Sequence, residues 1–336
     1  MIRINIIEKI LYALFSDDII SSKDFKRLNS DQLNDIYNYL YKQKILQLSY
    51  NYLKQLPTDN EYHAEKILLK TSEYIEKTKF RDNMLRNGLY SLSNTLIQNN
   101  IEHISLKGPL FSDIYFKSEG KRVCGDIDIL VNKCDVLRTK DVLKKAGYYI
   151  DDALYEKSLL HHYHFEAKKD NVTFEIHWNI DYGRNAYWEY LFHNSYFRHL
   201  SDIQIRVLNN EGQFLLFIVS ISKDWFTKAG VNKYLDLLQI VKHENMNFSD
   251  VFKAIEKFDL INRCYIVLFC LQHFYKNKMW PTVRTSLSTK IFAQCFLTKR
   301  KILLCKPPYK LTRKLGEQLL WKDSSFTSVP NIYKNK

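Results

Sequence analysis

Gly125-Asp126-Ile127-Asp128-Ile129-Leu130-Val131 is the stretch of sequence that decides the fold. Its apolar residues alternate with two aspartates, which predicts a β-strand, because successive side chains of a strand point to opposite faces of a sheet. Asp126 and Asp128 then share one face, and the two isoleucines share the other. Two neighbouring carboxylates repel each other unless a cation lies between them. The stretch therefore predicts a sheet with a metal site on one of its faces.

More strands are predicted within residues 101–181, where the apolar pattern has a period of two. Helices over 109–116 and 134–146 separate the first strands, and the second helix begins after Asn132 and ends at Gly147. The strand candidates are 102–106, 126–131, 162–167 and 172–180.

The last two of these strands are predicted to form a hairpin. Asp170-Asn171 suits a two-residue turn because both residues tolerate a positive φ. The turn fixes which residues face each other across the two strands, and it gathers apolar pairs on one face and polar pairs on the other. The predicted pairs are Phe165 with Ile176, Glu166 with Glu175, and His164 with His177.

Three interpretations of this polar face are open. It is simply solvated, or it holds zinc through His162, His164 and His177, or it supplies a third carboxylate to Asp126 and Asp128. Magnesium prefers oxygen ligands, so the carboxylate site is the better use of these residues. The sequence favours Glu175 as the third carboxylate and leaves Glu166 as the alternative.

Helices are predicted on both sides of the sheet region. Glycine and proline are scarce, with 9 and 6 residues among 336, and apolar residues recur at helical spacing before residue 99 and after about residue 212. The predicted organisation is an N-terminal helical region (1–99), a sheet-bearing core (100–205), a C-terminal helical domain (206–298) and a basic tail (299–336).

Composition limits the partners and the location. A net charge of +13 attracts polyanions, so nucleotides and nucleic acids are both candidate partners, although a lysine-rich surface alone gives the same charge. The six cysteines form no C-x-x-C pair, which indicates reduced thiols in the cytoplasm. The longest apolar run, 265–271, is far shorter than the roughly 20 residues needed to cross a bilayer, so no membrane partner is expected.

The order of several short motifs resembles the uncharacterised nucleotidyltransferase family of the DNA polymerase β superfamily. The resemblance covers about residues 101–258 and continues, more weakly, through Lys223-Asp224-Trp225 and Leu235-Asp236-Leu237-Leu238. It implies an α+β fold in which a polymerase β-like mixed sheet is flanked by N-terminal and C-terminal helical regions. The main motifs are Leu106-Lys107-Gly108-Pro109-Leu110, Gly125 to Val131, Gly147-Tyr148 and Glu175-Ile176-His177-Trp178.

The resemblance also implies the chemistry. Asp126, Asp128 and Glu175 would hold two Mg²⁺ ions, with Mn²⁺ as an alternative, and residues 100–205 would be the catalytic core. The substrate would be a nucleoside triphosphate, with ATP chosen for its abundance. An NMP, here AMP, would pass to a hydroxyl or phosphate of a small molecule, peptide or protein. The nucleotide-binding residues would be Lys107, Gly108 and Arg122.

One departure from the superfamily concerns the phosphate-binding turn. Lys107-Gly108-Pro109 stands where a Gly-Gly or Gly-Ser pair is usual, so a serine contact is absent and Pro109 has no amide hydrogen to donate. The sequence leaves two other functions open as alternatives. One is a nucleic-acid-directed transferase or an RNA- or DNA-binding protein that uses the basic surface and tail. The other is a catalytically silent interaction protein, which the intact carboxylates argue against.

Overall fold

A six-stranded mixed sheet lies at the centre of the chain. The computed structural model describes residues 4–16, 27–117, 120–181, 187–226, 229–243, 246–273 and 283–297. The strand order is β3-β4-β2-β1-β6-β5, with β1 parallel to β6, β2 parallel to β4, and the other neighbours antiparallel. The strands are β1 (His103–Ser105), β2 (Ile127–Val131), β3 (His164–Lys169), β4 (Val172–His177), β5 (Ser195–Leu200) and β6 (Ile203–Leu208).

Thirteen α-helices surround this sheet in the described residues. Four precede the first strand, four are inserted between strands, and five follow the last strand. They are α1 (Ile4–Ser16), α2 (Ser30–Lys42), α3 (Tyr50–Leu53), α4 (Glu61–Gln98), α5 (Pro109–Phe116), α6 (Val136–Lys145), α7 (Asp152–His161), α8 (Tyr187–His193), α9 (Asn210–Lys223), α10 (Val231–Lys242), α11 (Phe248–Lys257), α12 (Ile261–Gln272) and α13 (Leu287–Phe296). The prediction of an α+β fold with helices before and after a mixed sheet is confirmed.

The two faces of the sheet belong to two different apolar cores. Ile127 and Ile129 pack in a core with apolar residues of α4 and α6. Leu130 and Ile104 lie in the other core, together with apolar residues of α9, α10 and α12. Burying each such side chain stabilises the fold by about 1.5–3 kcal/mol. The alternation in β2 therefore anchors the strand on both faces, and Asp128 lies on the face that the C-terminal helices cover.

The long helix α4 approaches the sheet closely and holds it at two points. A Cβ atom added at Gly88 would lie 3.2–3.3 Å from side-chain atoms of Val172, Ile127 and Phe174, so a larger residue would push the helix away. Two turns earlier, Arg81 donates from Nη1 to the carbonyl of Asn171 (2.8 Å) and from Nη2 to the carbonyl of Gly125 (2.9 Å). A single side chain thus ties the chain just before β2 to the turn that precedes β4.

The predicted hairpin is confirmed in both its turn and its register. Asp170 and Asn171 have φ values of 50° and 60°, as a two-residue turn of this kind requires. The cross-strand partners are the predicted ones, Phe165 with Ile176, Glu166 with Glu175, and His164 with His177.

Other strand predictions need correction. The β5–β6 hairpin was missed: the sequence predicts no strand between residues 182 and 211, because its turn at Ser201 lacks the usual glycine or Asn-Gly signal, although Ser201 has a φ of 56°. Strand β4 ends at His177 rather than at residue 180, and β2 begins one residue after Asp126.

Two further predictions concern the ends of the chain and the membrane. The basic tail, 299–336, lies outside the described residues, and the division into four regions stays a prediction. Among the described helices, none combines the length and the apolar character that a transmembrane segment needs.

Candidate active site

Three carboxylates lie near one another on one face of the sheet. Asp128 lies on β2, directly beside Glu175 of the parallel neighbour β4, and Asp126 comes immediately before β2. Residues paired in register on neighbouring strands point to the same face, so these side chains share one surface. The N–H of Leu106 donates to the carbonyl of Asp128 (3.0 Å), which brings the end of β1 to the same place.

The hairpin places Glu175 beside the aspartates and Glu166 away from them. Glu166 lies on β3, one strand further from β2, and faces Glu175 across the hairpin. Its side chain is 51% exposed and lies 3.5 Å from the Nζ atom of Lys168. Of the two candidate third carboxylates, Glu175 is therefore the one that the fold brings to Asp128.

His177 bridges two of the three carboxylates. Its Nε2 atom lies 3.2 Å from Oδ1 of Asp128 and 3.2 Å from Oε2 of Glu175. Burial alone would lower the pKa of His177, but these two contacts outweigh burial and raise that pKa above its ordinary value. The sequence predicted His177 as a candidate zinc ligand and as the cross-strand partner of His164, and the register of β4 accounts for its position two residues beyond Glu175 on the same face.

Negative charge in the cluster is only partly balanced. His177 holds the pKa of Glu175 below its ordinary value. Burial works against ionisation of Asp128, yet His177 and Lys107 outweigh it and lower the pKa. For Asp126 the balance is opposite, because burial and repulsion from Asp128 and Glu175 raise its pKa. A carboxylate with a raised pKa beside two carboxylates with lowered pKa values fits a site that gains a cation, and carboxylate oxygens are ligands that Mg²⁺ prefers.

The turn at Lys107 and Gly108 lies directly against this cluster. Gly108 precedes α5 with φ 91° and ψ −150°, a conformation that other residues adopt only with strain. A Cβ atom there would lie 3.8 Å from the carbonyl oxygen of Asp126. Gln213 donates to the carbonyl of Leu106 (2.8 Å) and holds the turn from the α9 side. Burial lowers the pKa of Lys107, and attraction to Asp128 opposes that effect.

Arg122, the third predicted nucleotide-binding residue, is engaged by the protein itself. Its Nε atom donates to both carboxylate oxygens of Asp236 (3.1 and 3.0 Å), and Nη1 donates to Sγ of Cys124 (3.0 Å). The guanidinium group lies 4.8 Å from the centroid of the Phe111 ring. A direct contact with a triphosphate would come from Nη2 or from the second hydrogen of Nη1.

The prediction from sequence missed two lysines near the three carboxylates, Lys223 and Lys233. Burial lowers the pKa of Lys223 to about 7, and repulsion from Lys107 and Lys233 adds to this effect while Asp181 opposes it. Lys223 donates to the carbonyl of Ile180 (2.8 Å) and to the hydroxyl of Tyr163. The Lys223-Asp224-Trp225 motif was a signal for one of them, although it assigned no role to the lysine.

Lys233 extends this positive region. It donates from α10 to Ser220 (3.0 Å) and pairs with Asp224, and its charge acts on Lys107, which in turn is attracted to Asp126 and Asp128. Lys107, Lys223 and Lys233 form the lysine cluster, because their charges act on one another. A lysine cluster beside grouped carboxylates is suited to an anionic, metal-bound ligand.

Comparison with known proteins gives the family. No curated protein and no solved structure matches the chain. One family model, described as uncharacterised nucleotidyltransferase, matches residues 29–276. This match includes the sheet, the three carboxylates and the lysine cluster, and it extends well beyond half of the 336 residues. The chain therefore belongs to the uncharacterised nucleotidyltransferase family, as the order of its motifs predicted.

Proposed function

We propose that this protein transfers an NMP, with AMP from ATP as the first choice, onto a hydroxyl or phosphate of a small molecule, peptide or protein. Family membership supports nucleotidyl transfer from a nucleoside triphosphate in general. The observation that carries the proposal for the site is the pairing of Asp128 with Glu175 across parallel strands, with Asp126 next to them and poorly compensated.

Asp126, Asp128 and Glu175 are proposed to hold two divalent cations, Mg²⁺ or alternatively Mn²⁺. When bound, such a pair activates the acceptor oxygen and stabilises the charge of the leaving pyrophosphate. The contribution of the protein is geometric, because the register of β2 with β4 sets the distance between Asp128 and Glu175. His177, in contact with both, restricts their rotamers and acts as a positioning residue.

The triphosphate is proposed to lie between the α5 N-terminus and the lysine cluster. The first N–H groups of a helix have no partner within the helix, and they attract phosphate oxygens. Pro109 supplies none of them, so the N–H groups of Leu110 and Phe111 are the donors in the first turn. Lys107 and Lys233 are proposed to attract the phosphates at a turn that lacks the serine usual in the superfamily. Arg122 is proposed to contribute through Nη2 and by holding α10 in place.

Label transfer from α-³²P-labelled nucleotides tests the proposal. Wild-type protein with Mg²⁺ and an extract of the native cell as acceptor source should transfer label, with ATP preferred among the four nucleotides. Asp126→Asn/Asp128→Asn should reduce transfer by about 1000-fold, because metal contacts supply several kcal/mol of transition-state stabilisation. Glu166→Gln, which changes the exposed carboxylate of the same hairpin, is the matched control. Equal transfer by the double variant and the wild type would refute the metal site.

The acceptor fraction separates the two transfer hypotheses. Digestion of the extract with nuclease should leave transfer intact if the acceptor is a small molecule, peptide or protein. Loss of transfer after nuclease treatment, together with binding to RNA or DNA that weakens steeply as salt rises, would instead support the nucleic-acid-directed alternative.

A further inference from the structure

Two histidine rings and a carboxylate meet on the polar face of the β3–β4 hairpin. His164 and His177 are cross-strand partners, and their ring centroids lie 4.9 Å apart. Glu175 lies two residues before His177 on the same strand and face, with Oε2 3.2 Å from Nε2 of His177. One ligand atom from each of His164, Glu175 and His177 lies within 4.8 Å of the other two.

Both histidines carry a buried nitrogen that nothing nearby satisfies. The Nδ1 atoms of His164 and His177 are buried, and neither has a hydrogen-bond partner in the described part of the chain. Buried polar atoms are nearly always paired, so the unpaired Nδ1 of His164, on the ring that faces His177, calls for a ligand. A neutral imidazole nitrogen is a common ligand of transition metals.

The distances suit a tetrahedral ion after a small side-chain movement. Two ligands of one zinc ion lie about 3.3 Å apart, because each is about 2.0–2.1 Å from the ion. The 3.2 Å separation between Nε2 of His177 and Oε2 of Glu175 already matches this value, so Nε2 is the proposed ligand atom of His177. The widest separation in the group is 4.8 Å or less, so rotation of the partly exposed His164 ring would complete three protein ligands and leave a fourth position for water.

We propose that His164, Glu175 and His177 form a second site, overlapping the proposed magnesium site, for Zn²⁺ or a cation of similar softness, such as Co²⁺. Imidazole nitrogens favour such ions, whereas Mg²⁺ prefers an all-oxygen environment. The histidine-containing site would therefore bind Zn²⁺ or Co²⁺ in preference to Mg²⁺. This site does not depend on nucleotidyl transfer for its existence. It shares Glu175 with the proposed magnesium site, so zinc bound here would withdraw one ligand from the magnesium ions.

Cobalt absorption tests the site directly. The full chain is stripped with a chelator, kept in excess Mg²⁺ and titrated with Co²⁺, whose visible absorption is strong in a four-coordinate site. The wild type should show one equivalent of absorbing Co²⁺ that Zn²⁺ displaces. His164→Ala should bind Co²⁺ about 100-fold more weakly, since loss of even an outer partner of a ligand weakens binding by 10–100-fold. Equal binding by His164→Ala and the wild type would overturn the proposal.

Two controls make the result specific. His162→Ala removes a neighbouring histidine whose ring centroid is 6.0 Å from that of His164, and it should leave the cobalt absorption unchanged. Loss of the absorption in His162→Ala but not in His164→Ala would contradict the ligand set. Circular dichroism of both variants establishes that they are folded.

A measurement on the unaltered protein covers the case in which His164→Ala does not fold. Zn²⁺ should slow the modification of His164 by diethyl pyrocarbonate, mapped by mass spectrometry, and the same concentration of Mg²⁺ should not. Equal modification with and without zinc would overturn the proposal. Asp126→Asn separates it from the proposed function, because that variant should lose label transfer and keep the cobalt absorption.

Discussion

Arg122 and Asp236 form a buried ion pair between the segment that leads into β2 and helix α10. The Nε atom of Arg122 lies 3.0 Å from Oδ2 of Asp236, and the two side chains are 14% and 3% exposed. The pair joins residues that are 114 positions apart in the chain. It therefore fixes the C-terminal helices, which carry Lys223 and Lys233, relative to the strand that carries Asp128.

Replacing Asp236 with alanine is expected to destabilise the protein by about 3–5 kcal/mol, because the Arg122 charge would remain buried without its partner. Urea unfolding followed by circular dichroism measures the change. Asp250→Ala is the matched control, since Asp250 and Lys253 form a pair with side chains 58% and 73% exposed, and such pairs contribute about 0–1 kcal/mol. Similar losses in the two variants would show that the buried pair has no special role.

Gly108→Ala is expected to destabilise the protein by about 1–3 kcal/mol and to raise the KM for the nucleotide. The cause is backbone strain at φ 91° rather than a clash, because the added Cβ would lie 3.8 Å from its nearest neighbour, the carbonyl oxygen of Asp126. Gly125→Ala is the control, since no atom lies within 4 Å of a Cβ at that position. A KM that rises equally in both variants would argue against a role for the Gly108 turn in phosphate binding.

Glu175→Gln is expected to reduce label transfer by about 1000-fold, in line with loss of a metal ligand worth several kcal/mol. Glu166→Gln, its cross-strand partner, should stay within about threefold of the wild type, because substitutions at exposed sites change little. Initial rates at saturating ATP give the comparison. The reverse order of effects would make Glu166 the third carboxylate.

Lys223 is expected to make stability depend on pH. Its pKa is about 7 in the folded protein against an ordinary 10.5, so between these values the unfolded chain binds more protons than the folded one. The free energy of unfolding contributed by this residue therefore rises as pH increases from about 7 to 10.5. Lys223→Met should remove that rise, and Lys253→Met, at an exposed position, should retain it. Denaturant titrations at several pH values measure the difference, and parallel curves for wild type and Lys223→Met would contradict it.

The features that the sequence predicted correctly depend on local signals. The Asp170-Asn171 turn and the alternation on either side of it fix the hairpin register, and that register brings Glu175 rather than Glu166 to Asp128. Helix α5 was also predicted with its observed limits, because Gly108 and Pro109 mark its start.

The features that were missed depend on contacts between distant parts of the chain. Strand β6 pairs in parallel with β1, which lies about a hundred residues earlier in the chain. No local sequence pattern indicates such a distant pairing. The engagement of Arg122 by Asp236 and the burial of Lys223 likewise arise only when the C-terminal helices pack on the sheet. A lone arginine or lysine has the same appearance in a sequence whether it faces a triphosphate or an internal carboxylate.

The contacts of Arg81 bear on the design of shorter fragments. Helix α4 precedes every proposed ligand in the chain, so a fragment beginning near residue 100 would contain all of them. It would lack Arg81, whose side chain bonds both the carbonyl before β2 and the carbonyl before β4. The spacing between Asp128 and Glu175 would then rest on the strand pairing alone. A fragment that keeps the geometry of the candidate site therefore has to include α4, although none of the proposed ligands lies on that helix.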